Sequence, residues 1–290
     1  MFFIAPWVIG FVAFTAGPMA ASLYYSFTDF NVLQPPIWVG ASNYMHLVTD
    51  DEYFFQALNN TLYMVVVGIP ATQVFAFITA LLLNVKVKGI PAYRTLYFLP
   101  AIMPEVPITL IWAWIFNPQL GPVNAAISAL GLVPPLWLSG PTWAKPTLIL
   151  LGIWQVGTTT AIYLAGLQGV PQEMYEAAMI DGAGPLARLR QITIPLTSPV
   201  IAFNTIVGII FFFQYFTQAY VASSTQGGQV GGVENSLLFY AVYLYQNAFQ
   251  YLKMGYASAM SWLLFLIVMA VTLLSLYGSS RWVYYEVRQR

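Results

Sequence analysis

The sequence predicts an all-α integral membrane protein with six transmembrane helices. Three observations carry that reading: 59% hydrophobic against 7% charged residues, a mean hydropathy of +0.70, and long intervals without any charge. Soluble domains carry roughly 25% charged residues. A 290-residue chain this poor in charge cannot cover a water-facing surface. Lipid must be its main solvent.

The charges are few enough to serve as rulers. None occurs from Phe2 to Thr28, Tyr53 to Val85, Pro146 to Gln172, Gln191 to Val233 or Met254 to Ser280. Each interval holds the about 20 apolar residues that a membrane helix needs. A sixth span fits between Arg94 and Asn117, interrupted by Glu105. The helices are therefore placed at 2–27, 57–84, 92–116, 146–168, 197–222 and 256–280. The first is read as a span and not a signal peptide: no positive n-region precedes it, and its first charge is Asp29. No tandem repeat or low-complexity segment is evident, so residues 1–290 are taken as one transmembrane domain.

Composition also excludes functions. A net charge of zero gives nucleic acid nothing to bind. With no cysteine there is no disulfide, thiolate metal site or cysteine nucleophile. His46 stands alone in an outer loop, and no Ser-His-Asp set or paired carboxylate is placed for catalysis, so neither an enzyme nor a metal site is expected. A phosphate loop of the form GxxxxGK[ST] is absent; Gly227-Gly228 and Gly231-Gly232 read as flexible outer loop.

Basic residues near span ends stay on the cytoplasmic side. Lys86, Lys88, Arg94, Arg188, Arg190, Arg281, Arg288 and Arg290 fall in segments of one parity, and Lys145 and Lys253 in the other. Eight against two puts both termini in the cytoplasm. Asp29, Asp50, Asp51, Glu52 and Glu234 then lie outside, among loops rich in Pro, Gly, Trp and Tyr that suit docking.

One cytoplasmic loop stands out, reading PQEMYEAAMIDGAGPLARLRQITIPLTSP over 171–199. Its grammar is a short helix, a sharp turn and a second short helix. Pro171 suits a first helical position, and the alanines favour a helix from Gln172 to Ile180. Asp181-Gly182 stops it, glycine tolerating the left-handed backbone that follows a helix. Pro185 starts the next turn, and Pro195 ends it before the fifth span. Ala177 and Ala178 would let another protein approach closely, and Glu176 offers a charge to a basic partner. Taken alone, these residues also suit a plain connecting loop.

Glu176-Ala177-Ala178, then Ile180-Asp181-Gly182-Ala183 and Ile192-x-Ile194-Pro195, resemble the EAA loop of binding-protein-dependent ABC importer permeases. That pattern usually ends I-x-L-P, and Ile194 stands here in place of the leucine. The resemblance continues through Ser26-Phe27-Thr28-Asp29, Trp38-Val39-Gly40, Asn43-Tyr44, Asn60-Thr61, Arg94 to Pro100, Leu164 to Gln168 and Gly255 to Ala259. It covers the chain from about residue 5 to 285 and is to the sugar-type group, the maltose, glycerol-phosphate and lactose permeases. Within that group it resembles the subunit that precedes a second, similar permease.

The resemblance implies a type I importer architecture. In it the loop 169–196 forms a coupling helix that sits in a groove of a cytoplasmic ATPase. Glu176, Ala177, Ala178, Asp181 and Gly182 are the implied contacts, with Ile192 and Pro195 completing the motif. A second permease as heterodimer partner, two ATPase subunits that consume ATP and an extracytoplasmic solute-binding protein are implied too. So is residence in a prokaryotic plasma (inner) membrane, with no cofactor bound by this chain.

Polar residues inside the bilayer are candidates for the path. A carboxylate facing lipid costs at least about 2.5 kcal/mol, so Glu105 should face the bundle interior, a watery path or a partner. It is expected to hydrogen-bond a hydroxylated substrate, a protonated acid satisfied by a neighbouring helix being the alternative. Gln155, Thr158, Thr159 and Thr160 in the fourth helix, and Gln214, Tyr215 and Gln218 in the fifth, supply amide, hydroxyl and aromatic groups for a sugar. Ser and Thr in membranes also glue helices together. Pro100, Pro104 and Pro107 should break the third helix near Glu105 and free carbonyls to line a cavity. Mono-, di- and oligosaccharides, polyols and glycerol-phosphate esters all fit. A secondary transporter would carry more intramembrane ionisable groups or an inverted repeat, and a membrane enzyme would need a catalytic cluster.

Overall fold

The computed structural model describes residues 3–85, 87–225 and 230–284. Phe2, Lys86, Gly227, Gly228, Arg288 and Arg290, used in the sequence reading, lie outside them. Four helices are long and apolar enough to cross a membrane unaided: Ala5–Ser26, Glu52–Leu83, Pro185–Phe213 and Met254–Ser279. Two bent pairs, Ile90–Ile102 with Glu105–Ile115 and Ala144–Trp154 with Gly157–Gln168, bring the spans to six. The order and number match the sequence expectation.

Several boundaries differ, each for a local reason. The second span starts at Glu52 and not at 57, because Asp51 caps it by accepting from the Phe54 N–H at 3.1 Å. Charges that serve as rulers from sequence thus lie inside the helix they delimit. The fifth span starts at Pro185, and Pro195 does not end a separate helix as expected. A wide π-turn over Leu189–Thr193 precedes that proline, with the Ile194 N–H reaching back to the Leu189 carbonyl. Widening the turn relieves the clash of a proline ring with the preceding carbonyls. Pro171 is the N-cap of its helix (φ −60°, ψ 132°) and not the first helical residue.

Among the described residues, the second to sixth spans, with the segment 237–243, enclose the main core, which includes Met64, Ile108, Leu148, Phe213, Phe239 and Met260. A smaller cluster of Ala76, Ala80, Leu83, Tyr163, Leu164 and Leu167 fills the basic end, where Arg188 and Arg281 lie. Small residues let the spans approach: a Cβ at Gly166 would stand 2.8 Å from Val200 Cγ2. The first span packs against the sixth, and of its residues only Ser26 is buried.

The opposite, acidic end is a folded platform, and the motifs seen in the sequence build it. Strands Thr28–Asp29 and Ile37–Trp38 pair antiparallel. The Asn43 amide donates to the Ser26 and Thr28 carbonyls at 2.9 Å, and the Tyr44 hydroxyl to Ser26 Oγ at 2.8 Å. Gly255 has no room for a side chain, because a Cβ there would lie 2.0 Å from the Thr28 carbonyl oxygen. The Asn60 amide donates to the Asn235 and Leu238 carbonyls, and Thr61 accepts from the Tyr240 N–H at 2.9 Å. Buried Asp51 also accepts from the hydroxyls of Tyr243 and Tyr256, tying the second span to the sixth.

Candidate functional site: a polar path through broken helices

Two spans are bent within their length, and the fifth ends at a turn beside them. In the third, Met103 turns extended (ψ 137°) before Pro104, and the two halves meet at 98°. A proline disfavours the helical conformation in the residue before it, so the break falls where sequence expects one. Glu105 does not sit inside a continuous helix; it is the first residue of the second half, where the helix dipole favours a negative charge. In the fourth span the helix stops at Trp154, Gln155 and Val156 bridge a 49° bend, and Gly157 opens the second half. Gly157 is required there: a Cβ would meet the Tyr97 carbonyl oxygen at 2.9 Å and Phe98 Cα at 3.2 Å. In the fifth the helix stops at Phe213 and resumes over Thr217–Thr225, where an unbroken 197–222 was expected. No glycine or proline marks this break. Packing of the Tyr215 ring against Phe211, Phe212 and Phe239 draws it inward.

The breaks open onto two adjoining cavities that share Val207, Phe211, Tyr215 and Gln218. One, of about 430 Å³, adds Glu105, Gln214 and Thr217 to its lining. The other, of about 330 Å³, reaches Thr72, Gln73, Gln155, Thr158, Thr159 and Asn204. Seven of the eight substrate candidates named from sequence, Glu105, Gln155, Thr158, Thr159, Gln214, Tyr215 and Gln218, therefore line one or other of these adjoining cavities. A hydrogen-bonded relay joins three of them: the Tyr215 hydroxyl donates to Gln218 Oε1, and Gln218 Nε2 donates to Gln155 Oε1 at 2.7 Å. Thr160 points elsewhere and lines neither cavity. Glu105 is half-buried, with its backbone carbonyl taken by Thr109 Oγ1 at 2.7 Å. Sequence reasoning missed Gln73 and Asn204; an amide within an otherwise apolar span was the available signal for each.

At the basic end, residues Gln172–Ile180 form the expected short helix. Two bonds close it, Gly182 N–H to the Met179 carbonyl at 3.1 Å and Ala183 N–H to the Ala178 carbonyl at 2.8 Å. That paired closure needs a left-handed residue, and Gly182 supplies it with φ +76°. Glu176, Ala177, Asp181 and Gly182 are exposed and Ala178 is half-buried. Ile180 is 87% exposed beside exposed Met174, Met179 and Leu186. Ile192 and Pro195 are not on this surface but in the shaft of the fifth span. Tyr175 and Thr193 share a hydrogen bond of 3.0 Å that ties the short helix to that shaft. Lone His46 faces Asp50 at 3.7 Å.

Bent spans around polar cavities, with an exposed short helix at one end, define a membrane transport protein. Residues 73–288 match the model of the binding-protein-dependent transport system inner membrane component, and the chain belongs to that family of ABC importer permeases. It is 42% identical over 289 residues to the probable ABC transporter permease protein YesP of Bacillus subtilis, covering 99% of this chain and 92% of that protein. It is 33% identical to the lactose transport system permease protein LacF of Rhizobium radiobacter, covering 96% and 92%. With the sulfoquinovosyl glycerol transport system permease protein SmoG of Agrobacterium fabrum the identity is 31%, covering 88% and 82%. The fold also matches a bacterial ABC transporter involved in the import of the acidic polysaccharide alginate, at TM-score 0.85 and 24% identity over 96% of this chain and 94% of that one.

Proposed function

We propose that this chain forms one half of the translocation path of an ATP-driven importer for a carbohydrate or related polyol. The observation that carries this reading is the convergence of two bent spans and the turn that ends the fifth on one pair of amide-lined cavities. Backbone at membrane depth is left unpaired only where it lines a cavity or is buried in protein. Neutral amides, hydroxyls and aromatic faces are what a polyhydroxylated molecule pairs with, and relatives are named for lactose and sulfoquinovosyl glycerol. Glu105, Gln155, Thr159, Gln214, Tyr215 and Gln218 are the proposed substrate contacts. Transport, not catalysis, is the task.

The helix Gln172–Ile180 is proposed as the contact with a cytoplasmic ATPase. Met174, Met179 and Ile180 are all exposed on it at the basic end of the bundle, and exposed apolar surface of this kind suits an interaction site. Both termini then lie in the cytoplasm, and the platform that holds Asp51 and Tyr243 faces a solute-binding protein outside. A second permease completes the path, and two ATPase subunits hydrolyse the ATP. A ligand moves such an equilibrium only by its unequal affinity for the two states; ATP and the loaded binding protein supply that inequality. A secondary transporter would need ion-coupling groups, and Glu105 is the one acid among the described residues lining these two cavities.

The absence of cysteine makes the coupling testable. Ala177→Cys places a single thiol on the exposed helix. Photocross-linking through it in native membranes should yield an adduct with a Walker-motif ATPase. If the ATPase is present and only lipid or self-adducts appear from several loop positions, the importer reading fails.

A further inference from the structure

Two pairs of rings meet beside the cavity that holds Glu105. Phe216 and Tyr220 flank the start of the helix Thr217–Thr225, with the Tyr220 N–H donating to the Phe216 carbonyl at 2.8 Å. Tyr245 and Phe249 stand four residues apart where the helix Tyr240–Tyr245 widens into a π-turn over Gln246–Gln250. Residues at that spacing share one helix face. The two faces meet: ring centroids are 5.3 Å apart for Phe216 and Tyr220, 5.1 Å for Phe216 and Tyr245, and 5.2 Å for Tyr220 and Tyr245. From Tyr245 to Phe249 the step is again 5.1 Å.

This series of rings opens at both ends. Phe216 lines the cavity of about 430 Å³ together with Glu105 and Gln214. Phe249 is 60% exposed, just before Met254, where the sixth span begins at the acidic end. Between them Tyr220 and Tyr245 are half-buried. Rings that serve packing alone are closed in, as buried Phe54 and Tyr240 are, and an interfacial belt of aromatics faces lipid. Neither accounts for a series that ends on a cavity with a carboxylate in its lining. The outer end also has polar surroundings, because Gln246 and Gln250 of the same π-turn line a cleft of about 740 Å³ with Tyr53, Asn235 and Lys253. Single π-turns within helices recur at functional sites.

We propose that Phe216, Tyr220, Tyr245 and Phe249 form an aromatic track along which the sugar passes from the outer face into the Glu105 cavity. The inference rests on the sugar-permease reading and adds an entry site to it. Its chemistry differs from that of the cavity. Amides and a carboxylate pair with particular hydroxyls, whereas the negative face of an aromatic ring attracts the C–H face of any sugar ring. Such contact tolerates different hydroxyl patterns and holds each sugar unit weakly. Steps of 5.1 to 5.3 Å let a unit reach the next ring before it leaves the last. A longer saccharide touches more rings at once, so the track favours oligosaccharides over single sugars.

The test uses the whole importer, purified with its partner permease, ATPase and solute-binding protein and reconstituted in liposomes. Because the chain has no cysteine, Tyr220→Cys, Tyr245→Cys and Phe249→Cys each place a single thiol on it. A small charged thiol reagent added outside should label all three in the resting or the ATP-vanadate state, read on this chain by mass spectrometry. Labelling by an apolar maleimide alone would put the rings in lipid. Failure of any one to label in both states would make it closed packing or a contact with the partner permease. Either result overturns the track whatever the cargo. Labelled lactose, maltose, maltotriose and arabinotriose then serve as transport probes. Tyr245→Leu and Phe249→Leu remove a ring; Tyr245→Phe and Phe249→Tyr keep one. For whichever probe the wild type transports, each leucine variant should raise KM about two- to tenfold, as loss of one aromatic contact does. The ring-keeping variants should stay near the wild type. An unchanged KM in both leucine variants, or a rise that the ring-keeping variants share, overturns the track. If the thiols label as expected and the wild type transports none of the probes, the sugar reading itself fails and the proposal falls with it.

Discussion

Gly182 offers the sharpest test of how the exposed helix is built. Its φ of +76° is left-handed, and a Cβ on it would meet nothing within 4 Å. Substituting alanine therefore brings no clash. Its whole cost is conformational, about 1–2 kcal/mol for an L-residue held in that region. That cost falls on the closure made by the Gly182 and Ala183 N–H groups, which fixes where the helix Gln172–Ile180 ends and the fifth span begins. If the helix must be closed to bind the ATPase, the same energy appears in the association constant, about 5- to 30-fold weaker. The assay is titration of purified ATPase subunit against the detergent-solubilised permease pair, read by fluorescence anisotropy. Asparagine tolerates the left-handed region better than alanine, so affinity should fall in the order Gly182, Gly182→Asn, Gly182→Ala. Equal affinity for all three, or asparagine binding no better than alanine, would refute the reasoning. Far-ultraviolet dichroism of the whole bundle should stay the same throughout, since the nine residues of this helix are a small part of it.

Two further outcomes follow from the packing. Gly157→Val forces a branched side chain onto the backbone of Tyr97 and Phe98, which cannot swing aside, and should cost about 1–3 kcal/mol. Detergent melting should fall by several degrees, while Gly10→Ala, with nothing within 4 Å of its new Cβ, should leave it unchanged; equal effects would mean the third and fourth spans do not meet at Gly157. Tyr243 on the platform is pushed above its ordinary value of 10.0, by burial first and then by its bond to Asp51. The fold therefore keeps this phenol protonated where the unfolded chain ionises it. Its contribution is complete below pH 10 and is lost as pH rises further. Tyr243→Phe should lower neutral-pH stability and make the alkaline decline shallower; parallel curves above pH 10 would refute this.

How much of the path was legible from sequence depends on which residue is considered. Pro104 announced its break, because a proline restricts its neighbour through local sterics alone. Gly182 announced its turn for a similar reason, and Glu105 declared itself by the cost of a carboxylate in lipid. Tyr215 gave no such sign. Its break comes from rings contributed by Phe211, Phe212 and Phe239, the last 24 residues further along the chain. Pro195 misled, because the π-turn that absorbs it is set by the shaft around it.

Sequence by itself determined the solvent, the number of spans and the closed helix of the coupling loop. These follow from transfer energies and backbone sterics that act within a few residues. Only the tertiary structure decided that Gln73, Gln155, Asn204 and Gln218 share one wall. Their meeting depends on how close the spans pack, which glycines at 157, 166 and 208 permit and which no local preference specifies.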